Sequence, residues 1–227
     1  MQFIKATSEH IDAIAAIYGR IIDAQEQGRL TVGWQRGVYP TRQTALDALG
    51  RGDLFVCVDG GQVAAAAIIN RIQVPVYAEV GWFYHAEPDE VMVLHTLVVD
   101  PLRAGRGYGS AFVAFYESYA KNNGCPVLRM DTNEKNAAAR RLYARLGYRE
   151  AGMCVQRDKR RWAGVPGEKT VSRGRSLCIQ SLSSLLPSSP FFSITTALPL
   201  AVTAKTYGWY DIPPVASKSF VCGSSVI

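Results

Sequence analysis

Residues 98–110 read VVDPLRAGRGYGS, an apolar run that breaks at Pro101, passes three alternate glycines and enters an amphipathic segment. Gly105, Gly107 and Gly109 have no side chains to obstruct their neighbours. Consecutive main-chain N–H groups can therefore turn into one concavity, and a following helix adds the positive end of its dipole. That is the chemistry of an anion cradle. Spacing narrows the choice of anion: a P-loop needs Gly-Lys-Ser/Thr at its end, and no lysine follows Gly109, while a dinucleotide fingerprint needs a third glycine where Ser110 stands.

The spacing that remains resembles motif A of the GNAT superfamily of N-acetyltransferases, whose pyrophosphate loop reads Gln/Arg-x-x-Gly-x-Gly/Ala after a strand. Gly107, Tyr108 and Gly109 match; the opening position is Ala104, with Arg103 beside it and Arg106 inside the turn. Downstream, residues 136–148 (NAAARRLYARLGY) look like the family's motif B, a helix and its exit. Two motifs in the right order are more specific than one Gly-rich turn.

The resemblance implies acetyl-CoA as co-substrate, held where two parallel strands splay, near Val99 and Met130. Main-chain groups of Leu97, Val98 and Val99 are then expected to pair with the pantetheine, and N–H groups from Ala104 to Ser110 (Ala104, Gly105, Arg106, Gly107, Tyr108, Gly109, Ser110) to take the pyrophosphate. Asn136 is expected to hydrogen-bond the cofactor arm. Tyr143 is expected to donate a proton to the departing thiolate as a neutral amine attacks the thioester directly. No metal is implied. The base is less constrained: His95 sits on the motif A strand, where strict alternation puts it on the face of Leu97 and Val99, and Glu26 and Glu79 are alternatives. Each residue also has a plainer reading. His95 and Tyr143 fit as packed core residues, Asn136 as a helix-terminal residue, and Arg140, Arg141 and Arg145 as a solvated helix face. Trp34, Tyr39, Trp82 and Tyr84 either line an acceptor pocket or lid the core.

The elements that must position these residues read as a mixed α/β protein, with a central twisted mixed sheet flanked by helices. A short strand over residues 2–6 leads to a helix that Ser8 could cap, with Ile11, Ile14, Ile17, Ile21 and Ile22 on one face. Thr41 caps a second helix. Strands 54–58 and 63–70 flank an Asp-Gly-Gly-Gln turn, a hairpin signal. A loop-rich insertion covers residues 71–90. Strand 91–99, helix 107–123, strand 127–130, a helix ending before Gly147 and strand 148–153 follow.

Composition bounds the rest. The 227 residues are 48% hydrophobic, enough for a core. Through Val155 there are 16 Lys/Arg against 16 Asp/Glu, so the whole net charge of +6 arises afterwards. Neither a basic stripe for nucleic acid nor a signal peptide is evident, and five scattered cysteines suit buried thiols in a reducing cytoplasm. The uncharged stretch 176–204 is broken by Pro187, Pro190 and Pro199, which argues against a membrane span. A homodimer is compatible with this reading.

The domain is expected to end near Val155. Residues 156–227 read as a basic, then Ser/Thr/Pro-rich tail, in which the closing strand that the resemblance implies is not evident. Re-reading the codons for residues 155–170 one base later permits a string like that strand, so a frame shift is one account of the tail. A disordered extension is the other. Three functions stand side by side: an amine N-acetyltransferase, a catalytically silent acyl-CoA-binding or sensing domain, and nucleic-acid binding through the tail.

Overall fold

Apolar spacing sets the architecture. A computed structural model describes residues 1–156 and 174–182 of the chain. Strand β1 (Gln2–Lys5) leads through a short turn at Ser8–His10 into α1 (Ile11–Glu26), which buries Ile11, Ile14, Ile17, Tyr18, Ile21 and Ile22 at helical spacing. The residue preceding that turn is Thr7, not the expected Ser8; its N–H donates to His10 Nδ1 at 3.0 Å. Helix α2 (Arg42–Arg51) is capped by Thr41, whose hydroxyl accepts from Thr44 N–H, and ends at Gly52. Strands β2 (Leu54–Asp59) and β3 (Gln62–Asn70) form the expected hairpin, with Gly60 and Gly61 at φ 59° and 72°.

After the insertion come β4 (Val91–Val99), α3 (Tyr108–Asn122), β5 (Val127–Asn133), α4 (Ala137–Arg145), β6 (Arg149–Gln156) and β7 (Gly174–Leu182). The sheet order is β1-β2-β3-β4-β5-β7-β6; β4 and β5 are the parallel pair and every other pairing is antiparallel. One sheet face packs on α3 and α4 through Phe112, Val113, Tyr116 and Tyr143. The opposite face packs on α1 and α2 over β2 and β3, and on the 71–90 segment over β4, β5 and β7.

Two expectations are corrected. The final strand is present: β7 runs antiparallel between β5 and β6, pairing Met130 with Ile179 and Met153 with Leu177. Its sequence hides it, because Leu177, Cys178, Ile179 and Gln180 are all buried, so no polar-apolar alternation marks a strand covered on both faces. The remainder of the expected tail, including the basic run at 157–161, lies outside the described residues. The second correction concerns β4. Thr96 has φ 51° and the β3–β4 register shifts between Ala66 and Ile68, a bulge that reverses the alternation. Leu97 and Val99 pack on the α3/α4 side with Leu94, so His95 faces the other way.

Candidate active site

Strands β4 and β5 pair only from Val91↔Val127 to Leu94↔Met130, although both run on to Val99 and Asn133. Past Leu94 they part. The Tyr116 hydroxyl of α3 sits under this seam, 2.7 Å from Met92 O and 3.2 Å from Arg129 O, one carbonyl on each side. The opening is a cleft of about 1220 Å³ that passes through the sheet.

On the α3/α4 face the cleft is lined by Leu97, Val99, Ala104, Gly105, Gly107, Tyr108 and Gly109, with Asn136 and Tyr143 opposite. Gly107 takes the N-cap position of α3 at φ 82° and no side chain caps that helix. The N–H groups of the first turn therefore keep their hydrogen-bonding capacity for an anion. The turn is braced from behind. Asp100 accepts two 2.9 Å bonds from Arg20 and one of 3.1 Å from Leu102 N–H, and the Tyr108 hydroxyl donates to Asp59 at 2.6 Å. Arg145 reaches Ser110 Oγ at 3.1 Å, which brings a cation to the cradle from a helix face read as merely solvated. Gly109 answers a packing demand instead: a Cβ there would lie 3.2 Å from Leu142 Cδ2. Asn136 caps α4, its Oδ1 accepting from Ala139 N–H at 3.1 Å, so its plainer role is real; its amide nitrogen keeps two donors.

On the opposite face the cleft meets His95, Asp131, Tyr39, Trp34 and, at an exposed rim, Glu79. His95 is 5% exposed, and its Nε2 lies 3.0 Å from Ile72 O and 3.2 Å from Asn70 Oδ1. The Asn70 amide is oriented by two further bonds: Nδ2 donates to Asp53 at 2.7 Å and Oδ1 accepts from Ile72 N–H at 2.9 Å. Both neighbours of Nε2 are thus acceptors, which places the imidazole proton on Nε2 and makes Nδ1 the acceptor nitrogen. Burial holds the His95 pKa down at about 4, partly opposed by the Asp131 carboxylate and the Ile72 carbonyl. Asp131 is fixed by the Tyr77 hydroxyl, which donates to Oδ1 at 2.8 Å. Tyr39 bonds Thr96 at the bulge, and burial pushes its pKa up to about 12. Tyr143 is pushed upward by burial and then by the Asp131 charge, so its phenol stays protonated.

The α1–α2 connection roofs this end. Gln25 Oε1 accepts from the N–H groups of Val32, Gly33 and Trp34 at 3.1, 2.7 and 3.2 Å. Gly33 lies so close to Asn133 that a Cβ would clash with its side chain. Glu26 is elsewhere, exposed and ion-paired with Arg36 at 2.8 Å. Trp82 and Tyr84 pack in the 71–90 cluster, where the Trp82 indole donates to Tyr77 O at 2.8 Å. Sequence reasoning missed Asp131, Tyr77, Asn70 and Gln25. Extending β5 by the same alternation, so that Arg129 and Asp131 share a face, would have found Asp131. Among the described residues no cluster of metal-ligating side chains occurs, and no helix is long and apolar enough to cross a membrane.

An uncharacterized N-acetyltransferase of Methanocaldococcus jannaschii is 33% identical over 97 residues, which is 42% of this chain and only 38% of that relative's length. The Escherichia coli ribosomal-protein-S18-alanine N-acetyltransferase superposes with a TM-score of 0.53 at 19% identity, covering 84% of this chain and 99% of that one. A GNAT-family acetyltransferase from Streptococcus agalactiae gives 0.62 at 22% identity over 80% and 94% of the two chains. A Salmonella typhimurium protein described as an acetyltransferase, solved with its cofactor acetyl-CoA, gives 0.55 at 17% identity over 84% and 97%. These likenesses are of fold. The acetyltransferase (GNAT) family model matches residues 21–148, more than half of the sequence, and the chain belongs to that family.

Proposed function

We propose that the chain transfers the acetyl group of acetyl-CoA directly to a primary amine of a small molecule. One observation carries the reading: the parting of β4 from β5 places an uncapped helix N-terminus, a buried tyrosine and a held carboxylate along a single cleft.

The donor-rich cradle suits a pyrophosphate, and acetyl-CoA supplies the activated thioester. In this reading the main chain of Leu97, Val98 and Val99 pairs with the pantetheine where β4 has left β5, and N–H groups of residues 104–110 take the pyrophosphate. Asn136 donates to the cofactor arm. A main-chain N–H of the parted strand polarises the thioester carbonyl, and Tyr143 gives its proton to the thiolate as the C–S bond breaks.

We assign the amine's proton to Asp131 in preference to His95 or Glu79. A carboxylate attracts the incoming ammonium and becomes neutral on taking its proton, whereas passing that proton to His95 would move the positive charge onto an imidazole whose burial disfavours the charged form. His95 instead flanks Asp131 as a neutral imidazole of fixed tautomer. Thiol release from acetyl-CoA with a panel of amines tests the reading. Turnover that falls sharply in Tyr143→Phe supports it; tight CoA binding with no turnover for any amine replaces it with a silent acyl-CoA-binding domain.

A further inference from the structure

The 71–90 insertion covers a charge that acetyl transfer does not use. Arg129 shares a face of β5 with Asp131 and is 6% exposed, its guanidinium 4.3 Å from the centre of the Trp82 ring. Nη1 donates to Gln73 Oε1, and Nη2 donates at 3.2 Å to Tyr84 O, a carbonyl that Gln180 already serves at 3.0 Å. The buried Nε–H has no hydrogen-bond partner. Elsewhere in the chain this edge of an arginine meets a carboxylate: Arg20, Arg36, Arg51 and Arg140 each give Nε and Nη2 to the two oxygens of Asp100, Glu26, Asp53 and Glu150 respectively. Bonds to carboxylates raise the pKa of Arg36 and Arg140, whereas burial lowers that of Arg129. A guanidinium taken out of water with one edge unmatched is costly, and a two-oxygen anion on that edge offsets the cost.

Arg129 lines a chamber of about 760 Å³ walled by Val74, Pro75, Tyr77, Val80, Trp82 and Ala86. Gln73, His85, Glu87 and Glu90 complete its polar lining, the last three exposed. We propose that this chamber binds a monocarboxylate on a small apolar body, its two oxygens received by Nε and Nη2 of Arg129. Nε is shielded from solvent, so the ligand enters as the half-buried side chains of Gln73 and Trp82 shift. The apolar walls take the body, the guanidinium fixes the head group, and Glu87 and Glu90 repel a second negative charge. The chamber is separate from the glycine cradle, although Val74 and Pro75 also line the cleft, and its site does not depend on acetyl transfer.

The test titrates benzoate, its neutral isostere benzamide, phthalate and inorganic phosphate calorimetrically into the full-length protein in excess CoA, which keeps the cradle from taking the anions. Benzoate is expected to bind about tenfold or more tightly than benzamide, and more tightly than phthalate or phosphate. Arg129→Met is expected to weaken benzoate by about tenfold or more and, without ligand, to melt no lower than the unaltered protein, because an apolar side chain replaces an unmatched buried cation. Arg129→Lys keeps the charge without the planar fork and is expected to weaken benzoate as well. Equal binding of benzoate and benzamide, or no binding of benzoate, overturns the site, and so does unchanged benzoate affinity in either variant. Preference for phosphate or phthalate overturns the monocarboxylate class. A large fall in the melting temperature of Arg129→Met would show that the guanidinium is already matched within the chain, which also overturns the proposal.

Discussion

The Tyr77 hydroxyl donates to Asp131 Oδ1 at 2.8 Å, joining the insertion between β3 and β4 to the end of β5. Tyr77 is itself buried and held by its neighbours, with the Trp82 indole on its carbonyl and Val74 at the start of its turn. The insertion therefore does more than cover the sheet: it sets where the cleft's carboxylate points. Asp131→Asn keeps the shape and removes the charge, and is expected to lower kcat/KM by roughly 10²- to 10⁴-fold. Tyr77→Phe deletes one hydrogen bond to a charged group and should cost about tenfold. Steady-state thiol release measures both, and equal losses in the two variants would show that Asp131 acts only through its position.

Tyr143 sits in the α3/α4 core at 6% exposure, its ring 6.1 Å from that of Tyr148. Phenylalanine preserves that packing, so Tyr143→Phe separates chemistry from structure. The expected result is a fall in kcat of roughly 10- to 100-fold with the KM for acetyl-CoA unchanged. A matching loss of thermal stability would instead mark the tyrosine as a packing residue.

His95 makes stability depend on pH. Its folded-state pKa of about 4 lies below its ordinary 6.5, so between those values the unfolded chain binds the extra proton. The contribution is complete above pH 6.5 and is lost as pH falls toward 4, to a total of roughly 3 kcal/mol for a shift of that size. Urea midpoints measured from pH 4 to pH 8 should fall on acidification, and His95→Gln should flatten that slope. An unchanged slope in the variant would place the acid sensitivity elsewhere.

Gly107 and Gly109 look equivalent in the sequence and are not. Gly107 needs a left-handed backbone, and a Cβ there meets nothing within 4 Å, so the cost of Gly107→Ala is conformational, about 1 kcal/mol. The same change turns the cradle's N–H groups and should weaken CoA binding by about tenfold or more. Gly109→Ala has no backbone penalty but presses on Leu142, so its effect should fall on stability and the seating of α4. Calorimetric titration with CoA, paired with thermal melts, distinguishes the two.

The hairpin, α1, α3 and the glycine turn before α3 were legible because each rests on local signals: turn glycines, helical spacing and an apolar strand before a break. What was not legible depended on contacts distant in sequence. Nothing local announces a positive φ at Thr96, a β-branched residue that disfavours it, yet that single bulge decides which way His95 faces. Asp131 lay one residue past the expected end of its strand, and its tether comes from a segment 54 residues earlier. The Asp53–Asn70–His95 chain likewise joins the turn before β2 to β3 and β4, which no spacing rule connects.

Strand β7 offers the sharpest test of the architecture, because it alone joins β6 to the rest of the sheet. Gln180 within it is wholly buried and fastens the insertion, accepting from Tyr84 N–H at 3.1 Å and donating to Tyr84 O at 3.0 Å. Ile179 is 1% exposed and packs on the α3/α4 face of the sheet. Ile179→Ala is therefore expected to destabilise the fold by about 2–4 kcal/mol. A chain ending at residue 173 would leave the full length of β5 as an unpaired edge, and it is expected to aggregate or remain unfolded. Circular dichroism and sedimentation of the truncated chain measure this directly. A soluble, cooperatively melting product would show that the sheet closes without β7.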